Sequence, residues 1–199
     1  MIDAEELQRM QDAWTTGWHG IVDDTTAAEG LSECFMGNHR ANFELWHEED
    51  KARDPGASDL EIARVKRAID RLNQRRNDVV EAIDEALLRE APRQPASAPL
   101  HSETPGMMID RMSILALKIF HTREQAERGD ASEGHRLRNA ERLRVLEEQR
   151  GDLAGCLQSL WSEVLEGGRR FKVYRQMKMY NDPELNPAIY GAQGRSREI

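Results

Sequence analysis

The stretch that most limits what this chain can fold into begins at Ser58-Asp59-Leu60-Glu61. A serine and a glutamate three residues apart can satisfy the free backbone N–H groups of a helix start reciprocally, which makes a capping box. From there Ile62, Val65, Ile69, Leu72, Val79, Ile83 and Leu87 recur at helical spacing. At about 100° per residue they share one side of a single helix over residues 59–90. No central sheet fits a chain organised around such an element. The expected class is all-α, an antiparallel bundle of four to five helices with an irregular C-terminal tail.

Punctuation elsewhere fits the same class. Residues 3–18 read as a first helix, with Asp3 and Glu6 in capping-box spacing, and a second runs from about 32 to 53. Thr104-Pro105 opens a fourth, with Thr as N-cap and Pro at the first helical position. A fifth spans Ser132 to about Glu166 and stops at Gly167-Gly168. The segment after it is open between an extended chain, in which Phe171, Val173, Met177 and Met179 alternate, and a short helix. The reading is one domain over 1–190 and a disordered tail over 191–199.

Composition narrows the function classes. A net charge of -8 argues against a general nucleic-acid binder, since neutralising phosphates takes an excess of Lys and Arg. The longest apolar run, 107–120, is interrupted by Asp110, Arg111 and Lys118 and is too short to span a bilayer. The opening MIDAEELQRM has no secretory pattern, so a cytoplasmic location is expected. Cys34 and Cys156 stand alone and read as two buried, reduced thiols. No phosphate-binding Gly-rich loop, H-E-x-x-H or nucleophile elbow is present.

Wrapping the helices separates their faces. On the second, Phe35, His39, Asn42, Phe43, Trp46 and Asp50 form a half-polar stripe, Glu44, Glu48 and Lys51 lie opposite, and His47 is marginal. The third carries a polar stripe of Lys66, Asp70, Asn73, Asn77, Glu81 and Asp84 beside its apolar one. Asn is a poor helix former, so Asn73 and Asn77 at the border of a core suggest internal hydrogen bonding. The fourth helix is apolar round most of its circumference, which implies a central position, and is interrupted by Asp110, Arg111, Lys118 and His121. Folding neighbours antiparallel brings His39, Asn42, Asp70, Asn73, Asn77, Lys118 and His121 to one level. A second level then holds Glu81, Asp84, Asp110, Arg111 and Arg150, with Asp110 beside Arg150.

Four ordered strings, NFELWHEEDKAR, LNQRRNDVVEAID, SETPGMMIDRMSILALKIFH and KMYNDPELNP, resemble the bacterial family called domain of unknown function 4254. The resemblance covers about residues 30–190. It implies no established activity. An association of the family with envelope polysaccharide glycosyltransferases directs the ligand expectation toward nucleotide-sugars or sugar phosphates.

The leading functional expectation is an internal pocket for an anionic small molecule, supplied with cations by Lys118, Arg111, Arg175 and Lys178 and with amides by Asn42, Asn73 and Asn77. Asp50, Asp110 and His47 border it. His39, His121 and Asp70 are the acid–base candidates, because imidazole titrates nearest neutral pH. The sequence does not separate binding from catalysis and names no cofactor. Lys118 at the level of the two histidines would repel a cation, which favours phosphate over a metal. One alternative is a metal-dependent all-α nucleotide pyrophosphohydrolase using Glu81-x-x-Asp84. The other is a non-enzymatic module serving a glycosyltransferase through the aromatic tail with Phe171, Tyr174, Tyr180 and Tyr190.

Overall fold

A computed structural model describes residues 2–20, 29–177 and 184–187. Its elements are α1 (Ala4–Gly20), α2 (Leu31–Lys51), α3 (Asp59–Glu90), α4 (Pro105–Glu127) and α5 (Glu133–Leu165). The fold is an all-α bundle with no named strand among the described residues. The expectation for residues 191–199 lies outside the described residues.

Local chemistry sets the helix ends. Ser58 makes the full capping box with Glu61, and Thr104 caps α4 by accepting the Met107 N–H, with Pro105 at the first position. Ser132 caps α5 by accepting the His135 N–H. Gly167, at φ 77°, supplies the left-handed residue that ends the fifth helix.

The backbone of α4 lies close to each of the other four helices, whereas the backbones of α3 and α5 do not approach one another. That central place is why α4 is apolar almost all round. Its Met108, Ile109 and Met112 pack in one core with Leu7 and Trp14 of α1, Ile83 and Leu87 of α3, and Leu157, Leu160 and Trp161 of α5. The expected stripe on α3 is buried unevenly. Ile69, Ile83 and Leu87 are buried, while Ile62, Val65, Leu72 and Val79 are only half-buried.

After α5 the described chain is extended rather than helical. Leu100 and Arg170 form an isolated parallel bridge, the His101 amide donates to the Arg170 carbonyl at 2.8 Å, and buried Phe171 donates its N–H to Gln94. Arg175 is tied to the outside of α3 by ion pairs with Glu81 and Glu85.

Candidate functional site

The centre of the bundle holds a directional hydrogen-bond chain. Thr15 Oγ1 donates to the Gln11 carbonyl at 2.8 Å, so its remaining partner, Nε2 of His39 at 2.8 Å, must donate to it. Nδ1 of His39 then accepts from Ser113 Oγ at 2.8 Å, and Ser113 in turn accepts from the Asn42 amide at 3.0 Å. Burial, reinforced by the Arg150 charge, lowers the pKa of His39 to about 3. The imidazole is therefore neutral, enclosed and engaged at both nitrogens. It orders three helices, and its geometry does not suit the acid–base role expected of it.

Asn42 also donates to Asp110 Oδ1 at 2.9 Å, as Asn38 does at 2.8 Å, and Nε of Arg76 lies 3.6 Å from the same oxygen. Beside this cluster a cleft of about 360 Å³ opens between α2, α3 and α4. Asn42, Trp46, Asp50, Asn73 and Arg76 line it, with Glu49 and Arg53 also on its wall. Arg53 is held by Glu49. The side-chain amide of Asn73 makes no hydrogen bond among the described residues, and Nε of Arg76 is buried with no acceptor at hydrogen-bond distance.

The expected level does not assemble as a unit. His39, Asn42 and Asn73 come to the polar centre or the cleft next to it, and Asn77 is half-buried on α3. Asp70 is half-exposed and paired with Lys66. Lys118 is exposed, in a groove between α4 and α5 that also contains Arg111, Gln149 and Asp152. Arg111 is paired there with Glu103. Arg175 is taken by Glu81 and Glu85, and Lys178 lies outside the described residues.

His121 sits in a separate cluster with His19 and His47. The α3–α4 register differs from the expected one by about one to two turns. Asp84 meets Gly106 and Arg76 meets Asp110, because the 91–104 linker is not a symmetric hairpin.

The expected pairing of Asp110 with Arg150 is likewise replaced. Arg150 donates to Asp12 Oδ1 at 2.6 Å, to the Gln8 carbonyl at 2.9 Å and to Gln11 Oε1 at 3.3 Å, all on α1. Asp84 is buried and accepts from the Gly106 N–H at the start of α4, and Glu81 accepts from the Gln176 N–H. Both carboxylates of the Glu81-x-x-Asp84 pair are thus committed to holding the chain together.

Asn38, Ser113, Arg76 and Thr15 were not expected at the centre. Asn38 was legible in principle, since it precedes Asn42 by one turn on the same stripe. Ser113 in an apolar helix gives almost no signal.

No helix among the described residues is long and apolar enough to cross a membrane. No curated protein and no solved structure gives a significant match to the chain. One family profile covers most of it, and by that match over residues 32–173 the chain belongs to the family described as "Protein of unknown function (DUF4254)".

Proposed function

We propose that the protein binds a small phosphorylated sugar, free or as the sugar-phosphate half of a nucleotide-sugar, in the cleft between α2, α3 and α4. The observation that carries this reading is the pairing of two groups on its α3 wall with hydrogen-bonding capacity to spare. Arg76 has a buried Nε with no hydrogen-bond acceptor, its ion pair with Asp110 being long at 3.6 Å, and the Asn73 side-chain amide makes no hydrogen bond among the described residues. A guanidinium beside an amide suits phosphate oxygens, which accept several hydrogen bonds at once.

On the α2 wall, Trp46 and Asp50 offer an aromatic ring and a carboxylate, a set suited to the apolar face and hydroxyls of a sugar, while the Asn42 N–H groups are already given to Asp110 and Ser113. A volume of about 360 Å³ lies at the lower end of small-ligand sites and matches one sugar phosphate better than a whole nucleotide-sugar. The reading is of binding rather than catalysis, since His39 is sealed in the core and Asp70 is paired outside. It carries a cytoplasmic location with it.

Thermal shift and calorimetry with glucose 1-phosphate, UDP-glucose, glucose and inorganic phosphate test the proposal. A ligand that favours the native state raises the melting temperature. The sugar phosphate should do so most clearly, phosphate less and glucose least. No shift with any phosphorylated probe would sink the reading.

A further inference from the structure

We infer that His19, His47 and His121 form a binding site for a divalent transition-metal cation at the end of the bundle where α1, α2 and α4 meet. The site is distinct from the sugar-phosphate cleft, with which it shares only Trp46 as a wall. The three imidazoles come from three helices. Ring centres are 4.8 Å apart for His19 and His121, 5.2 Å for His19 and His47, and 6.2 Å for His47 and His121.

Hydrogen bonding fixes the tautomers of two of them. Nδ1 of His19 lies 2.8 Å from the Thr15 carbonyl, which can only accept, so the ring proton is on Nδ1. Nδ1 of His121 lies 2.8 Å from a Glu124 carboxylate oxygen, and its proton is placed in the same way. In the neutral form that can bind a metal each ring carries only that proton, which leaves its Nε2 as a bare lone pair.

Both Nε2 atoms are buried and neither has a hydrogen-bond partner. Two buried, unmatched lone pairs on rings 4.8 Å apart are costly unless an electrophile meets them. A carbonyl on one Nδ1 and a carboxylate on the other is the arrangement that orients metal-bound histidines and raises their basicity.

Packing holds these two rings in place. Phe120 stacks on His19 at 4.3 Å and Trp46 on His121 at 4.7 Å. His47 differs, because no hydrogen bond holds it among the described residues.

No three His, Cys, Asp or Glu side chains among the described residues form a metal-holding group in the conformation seen. Capture therefore closes the set by a turn of the His47 ring toward two ligands already fixed. Nitrogen donors select zinc, cobalt, nickel or copper over magnesium or calcium, and three imidazoles leave the fourth position of a tetrahedral ion to water.

The test uses the full-length, tag-free protein, stripped with chelator and titrated with ZnCl₂, CoCl₂ and MgCl₂. Calorimetry should give one Zn²⁺ per chain, Co²⁺ should develop the strong visible absorption of a tetrahedral site, and Mg²⁺ should do neither. His47→Ala removes no hydrogen bond and His121→Gln keeps a polar side chain, so both should remain folded by circular dichroism. Each should weaken Zn²⁺ binding at least about tenfold, and Glu124→Gln should weaken it by about tenfold. Absence of saturable Zn²⁺ binding, or binding that both histidine variants leave unchanged, would overturn the assignment and leave a shared water as the partner of the two lone pairs.

Discussion

The amide of Gly106 donates to Asp84 Oδ1 at 2.7 Å, joining the first turn of α4 to the side of α3. A Cβ on Gly106 would lie 2.7 Å from the Val80 carbonyl oxygen and 2.8 Å from Asp84 Oδ1. Backbone on one side and a buried carboxylate on the other leave no flexible atom to yield. Gly106→Ala should therefore force α4 away from α3 and cost about 1–3 kcal/mol. Urea denaturation measures this directly, and an unchanged midpoint would mean that the two helices slide freely at this contact.

Asp84 also gives stability a pH dependence. Burial raises its carboxyl from the ordinary 3.8 to about 6, against the opposing hydrogen bonds from Thr104 and Gly106. A raised native pKa means that the native chain holds a proton the unfolded chain has released. The contribution is present in full below about pH 4 and is lost as pH rises through about 6. Two pKa units correspond to on the order of 3 kcal/mol. Asp84→Asn keeps an acceptor for Gly106 without the buried charge. Relative to wild type it should gain stability from pH 4 to pH 7, and a constant difference across that range would contradict the shift.

His39 acts with the opposite sign. Its native pKa of about 3 lies below the unfolded value of 6.5, so its contribution is present above 6.5 and is lost as pH falls toward 3. The two groups offset one another in the overlapping window. Between pH 5 and 6.5, Asp84→Asn should steepen the loss of stability on acidification, and His39→Gln should flatten it whatever its effect at pH 8. Equal slopes in wild type and both variants would exclude this balance.

Sequence was most informative where structure is made within four residues. The bounds of α3, the Thr104-Pro105 start and the glycine stop after α5 are local hydrogen bonds or local backbone. Glu44 and Glu48, read as outward, instead line a groove against α3, where Glu44 lies near Arg75, and Cys156, read as buried, is exposed.

Partners across the bundle were less legible, because a level says nothing of direction. Arg150 belongs on a buried face, yet it turns to α1, a helix that antiparallel folding of the other four does not place. Lys118 and His121 lie three residues apart on α4, and one faces the α5 groove while the other joins α1 and α2. With Lys118 exposed in that groove, the expected repulsion of a cation near His121 is weakened.

The Arg150 guanidinium is 6 % exposed and its partner Asp12 is 56 % exposed. This asymmetry predicts unequal costs. Removing Asp12 leaves Arg150 bonded to the Gln8 carbonyl and to Gln11, so Asp12→Ala should cost about 1 kcal/mol. Arg150→Ala leaves a cavity and strands those acceptors, and should cost about 3 kcal/mol. Arg150→Met, which keeps much of the volume, should fall between the two. Chemical denaturation orders the three variants, and a larger loss for Asp12→Ala than for Arg150→Ala would contradict the reading.

The cleft between α2, α3 and α4 and the groove between α4 and α5 compete as the anion site. Both contain cations, of which only Lys118 and Arg111 in the groove are expected from the sequence to bind the ligand, and their surroundings differ. Arg111 in the groove is paired with Glu103, and Lys118 is exposed to water, where a single ion pair is worth little. Arg76 is largely shielded, its Nε has no hydrogen-bond acceptor and only a long 3.6 Å ion pair with Asp110, and Asn73 beside it makes no hydrogen bond among the described residues. Desolvated donors lose more when a phosphate is absent and gain more when it binds. Asn73→Ala should weaken glucose 1-phosphate binding about tenfold, as expected for one charge-assisted hydrogen bond, and Arg76→Gln should weaken it further. Lys118→Ala and Asp70→Ala should leave it within about twofold, since neither side chain lines the cleft. Calorimetry of the four variants decides the matter. Loss of binding in Lys118→Ala with retention in Asn73→Ala and Arg76→Gln would move the anion site to the groove between α4 and α5.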